Sequence, residues 1–274
     1  MGLKEILSDK LSKEELKLLR TSFDIVGSRE KAVAIIEIPE ELENKSRIIA
    51  EALLKVHKNV KSVLKKSSKR KGKFRLREYE LIAGEEDTEV VHKESGCRFL
   101  LDPRKVYFSV RESAERERIA KEVQKGEKVL VMFGGVAPFP ILIAKCKPVK
   151  KVYSVEINPY AHEYALKNVR LNKVEDKVVP LFGDVRDVCP KLKEKFDRIL
   201  MPLPEEAWKY LDVAFSCSKH GTVIYLYGIE GENLEEKVRE AAKKSGLKIK
   251  ILEKRKVLPY APRRYKVCLK IKVI

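Results

Sequence analysis

Residues 127–158, EKVLVMFGGVAPFPILIAKCKPVKKVYSVEIN, decide the fold. The apolar run 129–133 is short enough for a buried parallel strand. Gly134 and Gly135 let the backbone turn sharply against a ligand, and residues 138–146 begin a helix. Residues 152–155 are the next strand, with Glu156 at its carboxyl end, about twenty residues beyond the glycines. A carboxylate there accepts hydrogen bonds from both hydroxyls of a ribose. This strand, turn, helix and strand open a Rossmann-like α/β sheet.

The glycine pattern selects the nucleotide. A pyrophosphate resting on a helix amino terminus needs G-x-G-x-x-G, whereas this chain has G-G-V-A-P-F, with a proline at the helix start. Beyond a third strand at 178–182, Asp184 is placed to accept from an adenine amino group, and a fourth strand follows at 197–201. Ribose and adenine contacts without a phosphate contact point to S-adenosylmethionine. The plain alternative is that Glu156 and Asp184 only cap helices or turns.

Lys and Arg number 59 against 41 Asp and Glu in 274 residues, a net charge of +18, which favours a nucleic-acid partner. Cys97, Cys146, Cys189, Cys217 and Cys268 are odd in number and far apart, and the histidines are scattered, so neither a disulfide framework nor a metal site is expected. No apolar stretch is long enough to span a membrane and no leader is evident, so a cytoplasmic protein is expected.

Residues 1–103 read as a small α+β domain and 104–274 as a second domain. Residues 3–20 are amphipathic, with a capping box at Ser12 and Glu15. Strands are expected at 23–26, 32–38 and 60–64, and a helix at 41–56. The basic run 65–73 is too polar to pack and reads as a loop. Segments 74–83, 89–93 and 97–102 suggest one small antiparallel sheet. After a helix at 112–125 come the alternating strands and helices of a doubly wound sheet, closed by long strands at 248–254 and 265–273.

Several motifs together resemble the archaeal and eukaryotic tRNA (guanine-37 N1)-methyltransferases. They are FDIVG (23–27), IIEIPEEL (35–42), the Arg-x-Arg of Arg75 and Arg77, KVYFSVRESAERERIA (105–120), MFGGVAPF, EINPYA and DRILMPLPEEAWKYLDVAF (197–215). The resemblance implies a class I Rossmann-like methyltransferase domain, a parallel sheet with an antiparallel carboxyl-terminal hairpin. It also implies S-adenosylmethionine as cofactor, the tRNA anticodon stem-loop as partner and a monomer. Glu115 falls on the family's general base for N1 and Arg75 on the arginine that stabilises O6. Without the resemblance, Glu115 reads as an ion pair with Arg111 or Arg118 on a solvated helix. The resemblance assigns Arg111, Phe133, Gly134, Glu156, Ile157, Asp184, Val185 and Pro202 to the cofactor. Tyr107, Arg116, Asn158, Pro204 and Pro262 fall to the substrate, with Arg111 and Arg116 near RNA. The chain departs from the family's D-M-F-A-G-V-G-P-F at Val131, Gly134 and Ala137, and from its N-L-P loop at Pro202. The related aminocarboxypropyl transfer to the wyosine precursor, and a non-catalytic tRNA-binding protein, are the competing readings.

Overall fold

The structure, a computed structural model, describes residues 2–68 and 77–274, so Arg75 and residues 69–73 of the basic run lie outside the described residues. Contacts divide the chain into two units, Met1–Val110 and Arg111–Ile274. In the first, the amphipathic start is two short helices, α1 (Leu3–Ile6) and α2 (Lys13–Leu18), the second beginning at the expected capping box. Ser12 forces the second start: its hydroxyl accepts from the Glu15 amide at 3.2 Å while its own amide donates to the Glu15 carboxylate at 2.7 Å.

Strands β1 (Phe23–Gly27) and β2 (Ala32–Ile36) pair antiparallel. A 3-10 turn, Glu40–Lys45, leads into α3 (Ser46–Val56), and β3 (Val60–Lys66) returns parallel to β2. Helix α3 buries Ile49, Ala50 and Leu53 against Ala32, Ala34, Ile36 and Val63, the core of this unit. Strand β4 (Tyr79–Gly84) pairs with β3 to complete a four-stranded sheet in the order β1-β2-β3-β4. Strands β5 (Val90–Glu94) and β6 (Cys97–Leu101) form their own two-stranded ladder. The single antiparallel sheet expected over 74–102 is therefore divided. Ser95 and Gly96, at φ 48° and 72°, make a two-residue turn that pairs β5 with β6 locally, while β4 satisfies the open edge of β3.

The second unit begins with α4 (Ser113–Glu122) and β7 (Lys128–Met132). It continues through α5 (Pro138–Cys146), β8 (Lys151–Glu156), α6 (Pro159–Leu171), β9 (Val178–Phe182), α7 (Val185–Lys191) and β10 (Phe196–Met201). It ends with α8 (Leu211–Ser216), β11 (Ser218–Ile229), α9 (Leu234–Lys244), β12 (Ile249–Ala261) and β13 (Arg264–Val273). These strands form a seven-stranded sheet in the order β12-β13-β11-β10-β7-β8-β9. Pairing is parallel from β11 to β9 and antiparallel at β11–β13–β12. Val129 to Met132 and Ile199 to Met201 are fully buried, the unbroken apolar runs of strands covered on both faces. Among the described residues, no helix is long and apolar enough to cross a membrane.

Strand order reverses between β7 and β10, which opens a crevice at their carboxyl ends. Register fixes what lines that rim. Met201 lies opposite Leu226, Leu200 opposite Val131, Met132 opposite Val155 and Val155 opposite Leu181. The residues one step beyond the rows ending at these strands are Tyr227, Pro202, Phe133, Glu156 and Phe182.

At the opposite edge of the sheet, Arg198 is buried with its fork on Glu127, Nε to Oε2 at 2.8 Å and Nη2 to Oε1 at 2.9 Å. Its guanidinium carbon lies 5.5 Å from the centre of the Tyr225 ring. Removing one partner of a buried pair leaves an uncompensated charge. Glu127→Ala is expected to cost about 3 kcal/mol in urea unfolding, and a cost near zero would mean that water, not Glu127, neutralises Arg198.

Candidate active site

The turn from β7 to α5 is bound to the end of β8. The Gly134 amide donates to the Val155 carbonyl at 2.9 Å, and the Ala137 amide to the Gly134 carbonyl at 3.0 Å. Phe133, Gly135 and Ala137 are all left-handed, at φ 58°, 56° and 66°. The two non-glycine residues there cost about 1 kcal/mol or more each, strain that the packing around the turn must hold. A methyl group on Gly134 would lie 2.0 Å from Ser154 Oγ, and Ser154 is buried with its hydroxyl lacking a hydrogen-bond partner. Ser154 fills the space in which a side chain at 134 would sit, which suits the glycine there.

Glu156 sits half-buried at the rim. Its Oε2 accepts from the Gly135 amide at 2.8 Å and its Oε1 from the Asn158 amide at 2.7 Å, so one carboxylate ties the turn to the strand end. Burial pushes its pKa up, and the amides of Asn158, Gly135 and Ile157 oppose that. Each oxygen has a further lone pair with which to meet a hydroxyl donor. Pro138 in the first turn of α5 removes an N–H donor from that helix terminus, which suits a ligand without a phosphate there. Glu156, the glycine turn and the Asp184–Val185 corner lie on one edge of three neighbouring strands, the arrangement a ribose and an adenine require.

Two of the expected ligand residues serve first as helix caps. Asn158 is buried, and its Oδ1 accepts from the Tyr160 amide at 3.0 Å at the start of α6. Asp184 Oδ1 accepts from the Arg186 amide at 3.0 Å at the start of α7. Asn and Asp favour this position because their side chains reach the orphan amides of the first turn. Ile157, Pro202 and Pro204 are half-buried, and Val185 is buried. Pro262 is exposed in the turn between β12 and β13; next to it in the hairpin, the Tyr260 hydroxyl donates to Glu205 in the loop after β10.

Glu115 lies on α4 with 6% exposure, so the solvated-helix reading does not describe it. Arg118 grips it with a two-pronged fork, Nε to Oε2 at 2.8 Å and Nη2 to Oε1 at 2.7 Å. The Tyr227 hydroxyl donates to Oε1 at 2.7 Å. Tyr227 is one of the rim residues, which places Glu115 at the same edge of the sheet as Glu156. Arg111 is exposed, whereas Arg116, expected to face RNA, is only 2% exposed. In the first unit, Tyr107 lines a small cavity with Asp24, Lys66, Arg77 and Tyr79. The sequence reading did not give Tyr227 or Ser154 any part in the site. The only signal for the first was the pair of hydroxyl-bearing aromatics, Tyr225 and Tyr227, at strand spacing on one face. For the second it was the glycine standing where the family has alanine.

The turn yields a direct expectation. Gly134→Ala overpacks Ser154 and is expected to destabilise by about 1–3 kcal/mol, and adding Ser154→Gly is expected to restore most of that in thermal or urea unfolding. A fully stable Gly134→Ala would show that the turn is not seated on Ser154.

Comparison with known proteins is consistent with this geometry. Residues 90–252 match the TRM5/TYW2 methyltransferase domain, and residues 3–88 match the TYW2 N-terminal domain. The tRNA (guanine(37)-N(1))-methyltransferase Trm5b of Pyrococcus abyssi is 46% identical over 262 residues, which cover 94% of this chain and 76% of that protein. A solved complex of aTrm5 and tRNALeu is 38% identical with a TM-score of 0.87, covering 100% of this chain and 78% of that one. The TYW2 of Pyrococcus horikoshii, solved with MeSAdo, is 31% identical with a TM-score of 0.82, covering 99% and 98% of the two chains. With one family spanning residues 90–252 and relatives this close along nearly its whole length, the chain belongs to the TRM5/TYW2 methyltransferase family.

Proposed function

We propose that this protein methylates N1 of guanine 37 in tRNA, using S-adenosylmethionine, in the cytoplasm and on the anticodon stem-loop. The observation that carries the reading is the carboxylate of Glu115, delivered through Tyr227 to the strand rim that also bears Glu156. The 46% identity to a protein with this activity supports it. When bound, S-adenosylmethionine supplies a methyl group made electrophilic by its sulfonium.

The chain's own residues supply the rest. Glu156 accepts from the ribose hydroxyls, and the Asp184–Val185 corner meets the adenine. Glu115 would take the N1 proton of guanine, a contribution of about 10²–10⁴-fold, so that the nitrogen lone pair could form the new N–C bond while the methyl's bond to sulfur breaks and its electron pair passes to the departing thioether. Arg75, by its match to the family, donates to O6 as negative charge spreads there. Tyr107 holds the base, which must leave the stack before its edge can react. Arg111 and the basic run 69–73 meet the phosphates of the anticodon stem, drawn by the net charge of +18; Lys65, expected in the same loop, is instead buried in β3 and paired with Glu43 and Glu80.

A second reading, aminocarboxypropyl transfer to the wyosine precursor at the same position, is favoured by one observation, the match of residues 3–88 to the TYW2 N-terminal domain. Against it stand the loop Pro202-Leu203-Pro204, where those transferases tend towards Met-Gly-Tyr, and the presence of Glu115.

Base replacement tests the methylation reading. Transcripts with inosine at position 37 keep N1 and O6 and should be methylated, whereas adenine should not; equal methylation of adenine would overturn the assignment. Glu115→Gln should retain cofactor and tRNA affinity and lose single-turnover rate by about 10²–10⁴-fold. A near-wild-type rate would move the base elsewhere.

Cofactor affinity should depend on pH through Glu156. Its folded pKa is raised, so the ionised acceptor is lost as pH falls, and lost at a higher pH than for an ordinary carboxylate. Calorimetric titration without RNA should show weakening towards acid for the wild type and a flat, weak profile for Glu156→Gln. Parallel profiles would take Glu156 out of the cofactor site.

A further inference from the structure

Helix α4 meets β11 and β13 through a ladder of buried charges. Glu112 pairs with Lys266 at 3.0 Å, and the Lys266 ammonium lies 4.7 Å from the centre of the Tyr227 ring. Next comes Glu115 with Arg118 and Tyr227. Arg118 also donates through Nη1 to Glu122, and Glu122 accepts from the Tyr225 hydroxyl at 2.7 Å and from Lys270. Glu115 and Glu122 share one pattern: one carboxylate oxygen accepts from a tyrosine hydroxyl and a cation, and the other from Arg118 alone.

Of the two, Glu115 is the more deeply buried. Its Oε1 accepts twice, from Arg118 Nη2 and from the Tyr227 hydroxyl, which occupies both lone pairs. Its Oε2 accepts once, from Arg118 Nε. We infer that Arg118 and Tyr227 are positioning residues for proton transfer, orienting the Glu115 carboxylate so that the remaining lone pair of Oε2 is the proton acceptor. This rests on the reading of Glu115 as general base.

Three features support it. Tyr227 is fully buried, with its ring 6.2 Å from that of Phe139 in α5, so its hydroxyl cannot swing away from Glu115 without repacking the core. The groups around the carboxylate are Arg118 from its own helix, Glu112 from the 3-10 turn that precedes it, Tyr227 from β11, and Lys266 and Cys268 from β13. Burial holds Tyr227 well above its ordinary pKa, so it remains a hydrogen-bond donor throughout the working range. When Oε2 takes the N1 proton, Glu115 becomes neutral, and Arg118 would be left as a buried cation if Glu115 were its sole partner. Its second carboxylate, Glu122, keeps it paired, which lowers the penalty that usually attends breaking a buried ion pair.

The test is single-turnover methylation of a guanine-37 transcript between about pH 5 and pH 9. It compares wild type, Tyr227→Phe and Arg118→Lys, each also combined with Glu115→Gln. Tyr227→Phe keeps the ring and removes only the donor to Oε1. It should leave cofactor and tRNA dissociation constants within about twofold and lower the neutral rate about tenfold, the size of one hydrogen bond to a charged group. The acid limb of its profile should move to higher pH, because the ionised carboxylate has lost a donor. Arg118→Lys keeps the charge and loses the fork, so it should behave likewise and more strongly. In the Glu115→Gln background both substitutions should change the rate by less than about twofold, the non-additivity expected of groups acting through one another. Equal losses in both backgrounds, or an unmoved acid limb, would overturn the positioning role and leave the base reading intact. A near-wild-type rate for Glu115→Gln alone would instead overturn the base reading, and this inference with it.

Discussion

Parallel pairing of β9, β8, β7, β10 and β11 makes all of these strands run towards the same edge of the sheet, and the chemistry of this protein depends on that constraint. Because register is continuous across the strands, the row next to Met201–Leu226 and Met132–Val155 brings Tyr227, Pro202, Phe133, Glu156 and Phe182 level with one another. Phe133 and Pro202, far apart in sequence, thereby stand on adjacent strands without any loop having to reach for another. The reversal of strand order between β7 and β10 then leaves the crevice in the middle of that row. Within it, the Glu156 carboxylate serves structure and ligand together, since the amides of Gly135 and Asn158 hold it where a ribose would meet it.

Electrostatics supplies the second organising element. Helix α4 carries few apolar residues, yet it docks firmly because Glu112, Glu115 and Glu122 each find a cation or a tyrosine hydroxyl on β11 or β13. Buried pairs of this kind contribute little net stability compared with apolar packing, but they are costly to break singly, so they fix orientation more than they add affinity. For a carboxylate that must meet one proton on one atom of a substrate, orientation is the property that counts. Arg198 and Glu127 provide a comparable fixed point at the opposite edge of the sheet, where no ligand is expected.

Much of this was legible beforehand, and the physical reason is locality. Short apolar runs, the glycine turn, the acid after β8 and the capping box at Ser12 are signals contained within a few residues, and each stands in the structure where it was read. What escaped depends on distant partners. Segment 79–84 was grouped with its sequence neighbours, but β3 offered an open edge. Asn158 and Asp184, by contrast, cap locally; capping was the alternative reading for Asp184, and the structure shows it at both residues. Arg118 at three residues from Glu115 was readable as a helix pair, whereas its burial depends on Tyr227, 112 residues along the chain. The glycine at 134, a departure from the family's turn, faces Ser154, which lies twenty residues along the chain on β8. Arg75, assigned by resemblance alone, lies outside the described residues.

The central claim is that the methyl group, and not the aminocarboxypropyl chain, goes to N1 of guanine 37. The most direct measurement is nucleoside mass spectrometry of tRNA incubated with S-adenosylmethionine carrying distinguishable isotopes in those two groups. A guanine-37 transcript and a tRNA bearing the wyosine precursor would be offered in parallel. The account predicts the methyl label in N1-methylguanosine from the first tRNA and no aminocarboxypropyl label in either. An aminocarboxypropyl label on the wyosine precursor, with the guanine-37 transcript unmodified, would contradict it.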